Sequence, residues 1–168
     1  MRRTLDALYD SAAAVAALCM VGLLIAVLLS ILGRQFHFHI SGIDAYAGYL
    51  MAGTASLALA HTLKRGEHIR VTLLLTALKG RWKHLLELWA LGIGTLLAGL
   101  YALYSVRLAW LSHVFHDVST SNDATPLWIP QIGMAAGAVV LVIAMLDELV
   151  LELLGRRAVV DGEALHNE

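Results

Sequence analysis

The sequence has one cysteine and two prolines in 168 residues. Cys19 alone cannot close an internal disulfide, and thiol–disulfide chemistry normally takes a pair. Among Ala, Leu, Met and Val it reads as a small apolar packing residue. Charge is also scarce, at 15% of residues against roughly 25% in ordinary soluble domains. Four stretches hold almost none. Residues 11–33 contain no Asp, Glu, Lys, Arg or His, residues 45–63 contain only His61 as a titratable group, and residues 88–106 and 124–146 contain no acidic, basic or histidine residue. The length would allow one soluble domain, but apolar residues gathered in this way exclude it.

What fills those stretches is apolar. Hydrophobic residues make up 59% of the chain, and the mean hydropathy is +0.72. Each run is long enough to cross a hydrocarbon core of about 30 Å at about 1.5 Å per residue. In lipid a backbone must satisfy its own hydrogen bonds, so such runs are expected to be helices. The expected fold is an all-α integral membrane protein with four transmembrane helices, forming a single domain over 1–157 with a polar tail at 158–168. The two halves show no inverted repeat of the kind found in many carriers. Arg2 and Arg3 precede the first run as they would a signal peptide. That run far exceeds an h-region of about 7–15 residues, and no A-x-A-like site follows it, so it is expected to remain as a helix.

Position, rather than the net charge of −1, gives the orientation. Arg2, Arg3, Lys64, Arg65, Arg70, Lys79, Arg81, Lys83, Arg156 and Arg157 fall on one side of the spans, and only Arg34 and Arg107 fall on the other. The positive-inside rule then places both termini and the second loop in the cytoplasm, with the loops over 34–44 and 107–123 outside. Within the second loop, Val71, Leu74, Leu75 and Leu78 follow helical spacing, while Thr72, Thr76 and Lys79 fall on another face. That pattern predicts an amphipathic helix over 68–79 in the membrane interface. Its basic neighbours would meet anionic headgroups, worth ~1 kcal/mol each near the surface.

The centres of the spans carry no ionisable side chain. An ion-coupled carrier usually needs a carboxylate, a base or a broken helix at membrane depth, so this chain alone is not expected to be the translocating unit. Its eight histidines lie in loops or near span ends, where no haem could be sandwiched between helices. His37-x-His39 and the His113/His116 pair lack the further ligands that would complete a metal site. No catalytic residue, cofactor or metal is assigned. Gly133 and Gly137 form G-x-x-x-G in the fourth run, and Gly53 lies in the second among Ala45, Gly48, Ala52 and Ala60. Such residues let helix backbones approach closely, within the chain or against another membrane protein. Pro126 and Pro130 stand where the fourth helix should start and a missing N–H costs least. Trp82, Trp89, Trp110 and Trp128 lie near expected interfaces, as aromatic belts do.

Several short motifs together resemble one family. Gly66-Glu67-His68-Ile69-Arg70-Val71 follows the second span, Arg34 ends the first, and Ser41-Gly42-Ile43-Asp44 leads into the second, with Gly53 inside it. Thr125-Pro126-Leu127-Trp128-Ile129-Pro130 opens the last helix. In order and placement these resemble the small membrane (Q) subunit of tripartite ATP-independent periplasmic (TRAP) transporters, over about residues 5 to 155. Many members have a glutamate pair where this chain has Asp44-Ala45, which keeps one acid and loses the other.

The resemblance implies a multi-pass protein of the bacterial inner membrane. It would be the small permease subunit of a secondary, sodium-driven importer of organic acids such as dicarboxylates. Its implied partners are a large multi-helix membrane subunit, which carries the translocation pathway, a periplasmic solute-binding protein, and membrane lipids. The chain would scaffold the large subunit and help dock the binding protein. Arg34, Asp44, Gly66, Glu67, His68 and Arg70 are the candidates for partner contact or loop ordering. Arg34 and Asp44 could pair with each other across the outer loop, and Glu67, His68 and Arg70 could order the turn after the second helix. Gly53, Gly133 and Gly137 are the helix-packing candidates. The reading from a different class is an autonomous four-helix membrane protein, either a haem or redox carrier or a small exporter.

Overall fold

The structure, a computed structural model, describes residues 2–38, 40–64, 81–121 and 123–154. Four helices account for most of them: α1 (Arg2–Gln35), α2 (Ile43–Lys64), α3 (Arg81–Val114) and α4 (Trp128–Leu153). The expected amphipathic helix over 68–79 and the polar tail at 158–168 lie outside the described residues, as do Gly66, Glu67, His68 and Arg70.

Three of the helices, α1, α3 and α4, are long and apolar enough to cross a membrane. The helices also run past the apolar stretches. At about 1.5 Å per residue, the 34 residues of α1 and of α3 each extend about 51 Å. Arg107, expected in an outer loop, therefore lies inside α3. Nothing in a charged residue stops a helix once it leaves the hydrocarbon, so loss of hydropathy marks a membrane boundary and not a helix end. α2 has the length to span, at 22 residues, but a less apolar composition, with Tyr46, Tyr49, Thr54, Ser56, His61 and Thr62 among its side chains. It packs along both α1 and α4, so much of its surface meets protein and does not have to be apolar.

The order of neighbours is α1–α2–α4–α3, with little contact between α1 and α4. Ser56 faces Gly137, and Ala60 shares a cluster with Leu141, so α2 and α4 run parallel while the loop-joined pairs α1/α2 and α3/α4 run antiparallel. The start of α1, the end of α2, the start of α3 and the end of α4 meet at one end, here called the base. The loops over 36–42 and 115–127 form the opposite end, the rim.

The interior is built mostly of alanine. Ala12, Ala16, Ala60, Ala98, Ala135, Ala138 and Ala144 are all buried, and Tyr9 is the one large side chain that is almost completely enclosed among the described residues. The large aliphatics point outward, including Leu18, Val21, Leu24 and Ile25 on α1 and Leu96, Leu97 and Leu103 on α3. Lipid removes the drive to bury leucine, and small residues gain contact by letting backbones close up. Gly137 is the tightest case: a Cβ there would stand 2.5 Å from the Ser56 carbonyl carbon. Hydroxyls within the helices are satisfied locally. Thr54 donates to the Leu50 carbonyl at 2.8 Å and Thr95 to that of Leu91 at 2.7 Å. Ser56 and Tyr101 bond to each other at 3.2 Å, which links α2 to α3.

Two helices end at the rim in the same way. The Phe38 N–H reaches the Gly33 carbonyl at 3.0 Å, and the Asp117 N–H reaches that of Ser112 at 3.0 Å. Between them His37 and His116 adopt φ of 58° and 54°. This is the Schellman arrangement, with histidine at the left-handed position where glycine is usual. α4 begins at Trp128, so Pro130 occupies its third position, where the N–H would have no helical partner. Pro126 lies just ahead of the helix in an antiparallel bridge with Val118.

Candidate functional site

The rim loops are held to the helices by a small set of polar contacts. Gly42, at φ 80°, turns the chain into α2, and its carbonyl accepts from the Ala45 and Tyr46 amides. Its α-carbon lies against Asp123, so close that a Cβ would stand 2.5 Å from that residue's own Cβ. Two tyrosines rise from the first turns of α2 to the same loop. Tyr49 donates to Asp123 Oδ2 at 3.2 Å, and Tyr46 bonds the Thr125 hydroxyl at 3.0 Å. The loop also closes on itself, with Ser119 N–H to the Thr125 carbonyl at 2.8 Å and Leu127 N–H to the Asp117 carbonyl at 3.0 Å. Burial pushes the Asp123 carboxyl up, but the hydroxyls of Thr125 and Ser119, its own amide and the Tyr49 hydroxyl outweigh it and hold the group below the ordinary carboxylate value.

Beside this lock, between the end of α1 and the start of α2, lies a cavity of about 720 Å³. Arg34, His37, Asp44 and Ser30 give it its polar wall, and Phe38 and Ile40 belong to the apolar part. Arg34 and Asp44, both singled out by sequence, are thus brought together on one cavity. They do not form an ion pair: Asp44 accepts from the Ser30 hydroxyl at 2.9 Å, which orients its carboxylate, and Arg34 is exposed. A cation and an oriented anion on one wall suit a partner that carries both signs of charge.

The packing glycines fall in three different settings. Gly137 meets the α2 backbone, a Cβ on Gly53 would make ordinary contact with Cys19 Sγ of α1 at 3.9 Å, and Gly133 has open space where a side chain would go. His113 stacks edge-on against Trp128 with ring centroids 5.2 Å apart, and 6.5 Å separates it from the His116 ring.

At the base, polar groups cross between neighbouring helices. His61 on α2 lies 3.7 Å from Asp10 on α1. His84 Nδ1 on α3 lies 2.9 Å from Glu152 Oε1 on α4. Sequence reasoning places these histidines near span ends but does not single out Glu152, Tyr49 or Asp123. Their partners lie 68 and 74 residues away along the chain, and no local pattern announces such a contact. Only the i, i+3 spacing of His84 and Glu87 carries a local signal, since it places both on one helix face.

No curated protein and no solved structure matches the chain. A family profile does, that of the DctQ component of tripartite ATP-independent periplasmic transporters, over residues 23–155. That span takes in the second, shorter part of α1 from residue 23 on, all of α2, α3 and α4, and both rim loops. The family is a transporter component rather than an enzyme family. The chain belongs to the DctQ component family of tripartite ATP-independent periplasmic transporters, as an all-α protein of the inner membrane.

Proposed function

We propose that this subunit scaffolds the large translocating subunit of a sodium-driven importer of organic acids such as dicarboxylates, with its termini in the cytoplasm and its rim outside. The observation that carries this reading is where the polar groups lie. Arg34, Asp44 and Asp123 lie at the rim and His61, His84 and Glu152 at the base, while residues 11–33, 45–60, 88–106 and 128–146 hold no acidic, basic or histidine side chain. Among the described residues no carboxylate or base stands at mid-depth, which supports assigning coupling and translocation to the partner. The wide aliphatic faces of α1 and α3 supply surface for lipid and for that partner. At the rim, the locked loop over 115–127 and the cavity with Arg34 offer the periplasmic binding protein a fixed landing edge.

The test is purification of the tagged chain from native membranes in a mild detergent, with mass spectrometry of what accompanies it. A stoichiometric large multi-helix membrane protein is the expected companion. Recovery of the chain alone, under conditions that preserve other membrane complexes, would overturn the scaffold reading. Transport by the reconstituted chain without a partner would do the same.

A further inference from the structure

We propose that His84, Glu87 and Glu152 form a binding site for a divalent transition metal ion of the zinc class, tying α3 to α4 at the base. The three side chains each offer one ligand atom, and those atoms all lie within 4.8 Å of one another. His84 and Glu87 stand one turn apart on α3 and share a face, while Glu152 comes across from α4. His84 Nδ1 and Glu152 Oε1 are already 2.9 Å apart. Tetrahedral zinc with bonds of about 2.0–2.1 Å sets its ligand atoms roughly 3.3 Å apart, so closure asks for small side-chain adjustments.

Glu152 is 7% exposed and occupies the last turn of α4, where the helix dipole disfavours negative charge. An ion held between it, His84 and Glu87 would offset that cost. The His84 side chain is half exposed, which leaves a route from solvent to the site. An imidazole with two carboxylates suits zinc, nickel or iron better than magnesium or calcium, which take all-oxygen sets. Three protein ligands leave a coordination position for water. The consequence is structural: α3 has α4 as its main neighbour and is joined to it by chain only at the rim, and an ion at the base would fasten the other end. This site is independent of the partner reading above.

The experiment uses the full chain carrying a histidine-free tag, purified in detergent, stripped with chelator and dialysed against zinc chloride, with bound zinc measured by elemental analysis. One zinc per chain is expected. His84→Ala and Glu87→Gln should each weaken binding by at least about tenfold, the scale that loss of even an outer-sphere partner costs, while His61→Ala should bind as the unaltered chain does. Glu87→Gln changes a side chain that is not fully buried and keeps its shape, so it remains informative if replacement of Glu152 disturbs folding. No zinc retained by the unaltered chain, or retention undiminished in both His84→Ala and Glu87→Gln, would overturn the site.

Discussion

Gly137 on α4 and Ser56 on α2 meet backbone to backbone, with room for a hydrogen but not for a methyl group. That contact sets how closely the two central helices approach, and it separates two glycines that look alike in sequence.

Gly137→Ala should therefore force α2 and α4 apart, at about 1–3 kcal/mol, the usual range for overpacking. Gly133→Ala, into open space, should be neutral or slightly stabilising, because alanine is the better helix former by up to ~1 kcal/mol. Thermal unfolding of both variants in one detergent decides the matter. Equal destabilisation would show that the helix face is assigned wrongly.

The Asp123 carboxyl, held below its ordinary value of 3.8, links rim stability to acid pH. A depressed folded-state value means that this stabilisation is present in full above pH 3.8 and is lost as pH falls through the lower, folded value. Unfolding followed by tryptophan fluorescence below pH 4 should show this loss in the native chain, and Asp123→Asn should flatten it. An unchanged acid limb in the variant would remove Asp123 from the account.

His37 and His116 occupy left-handed backbone that costs an ordinary residue roughly 1–2 kcal/mol. His37→Gly and His116→Gly should each stabilise the chain by about 0.5–1 kcal/mol, since glycine's greater freedom in the unfolded chain offsets part of the relief. A lower melting temperature in either variant would mean that the imidazole itself holds the rim.

Arg34→Ala should leave the melting temperature of the isolated chain almost unchanged, because the residue is exposed and makes no ion pair with Asp44. In the assembled transporter it should weaken a rim contact by about 1–2 kcal/mol, roughly a tenfold loss of affinity. A pull-down of the variant with full recovery of the binding protein and the large subunit would exclude Arg34 from both contacts.

The helices were legible because hydrocarbon imposes a strict rule on long uncharged runs, and the order of short motifs carried the family. Residues 11–33 sit inside α1 and residues 88–106 inside α3. Less legible were the helix ends, since Arg107 continues α3 without interruption. The rim lock was hidden for another reason: Tyr49 and Asp123 become neighbours only when α4 takes its place beside α2. G-x-x-x-G spacing showed a helix face but not which glycine would meet a backbone. The loop motif from Gly66 to Val71 lies outside the described residues, so its role stays a proposal.

The neighbour order α1–α2–α4–α3 also has a consequence for the order of synthesis. When the ribosome has delivered α3, that helix has almost nothing among the described residues to rest on, apart from the Ser56–Tyr101 hydroxyl pair. α4 arrives last and must slide between α2 and α3, bringing Gly137 to one and Glu152 to the other. The chain thus waits in the bilayer as a hairpin and a loose third helix until its final helix joins them.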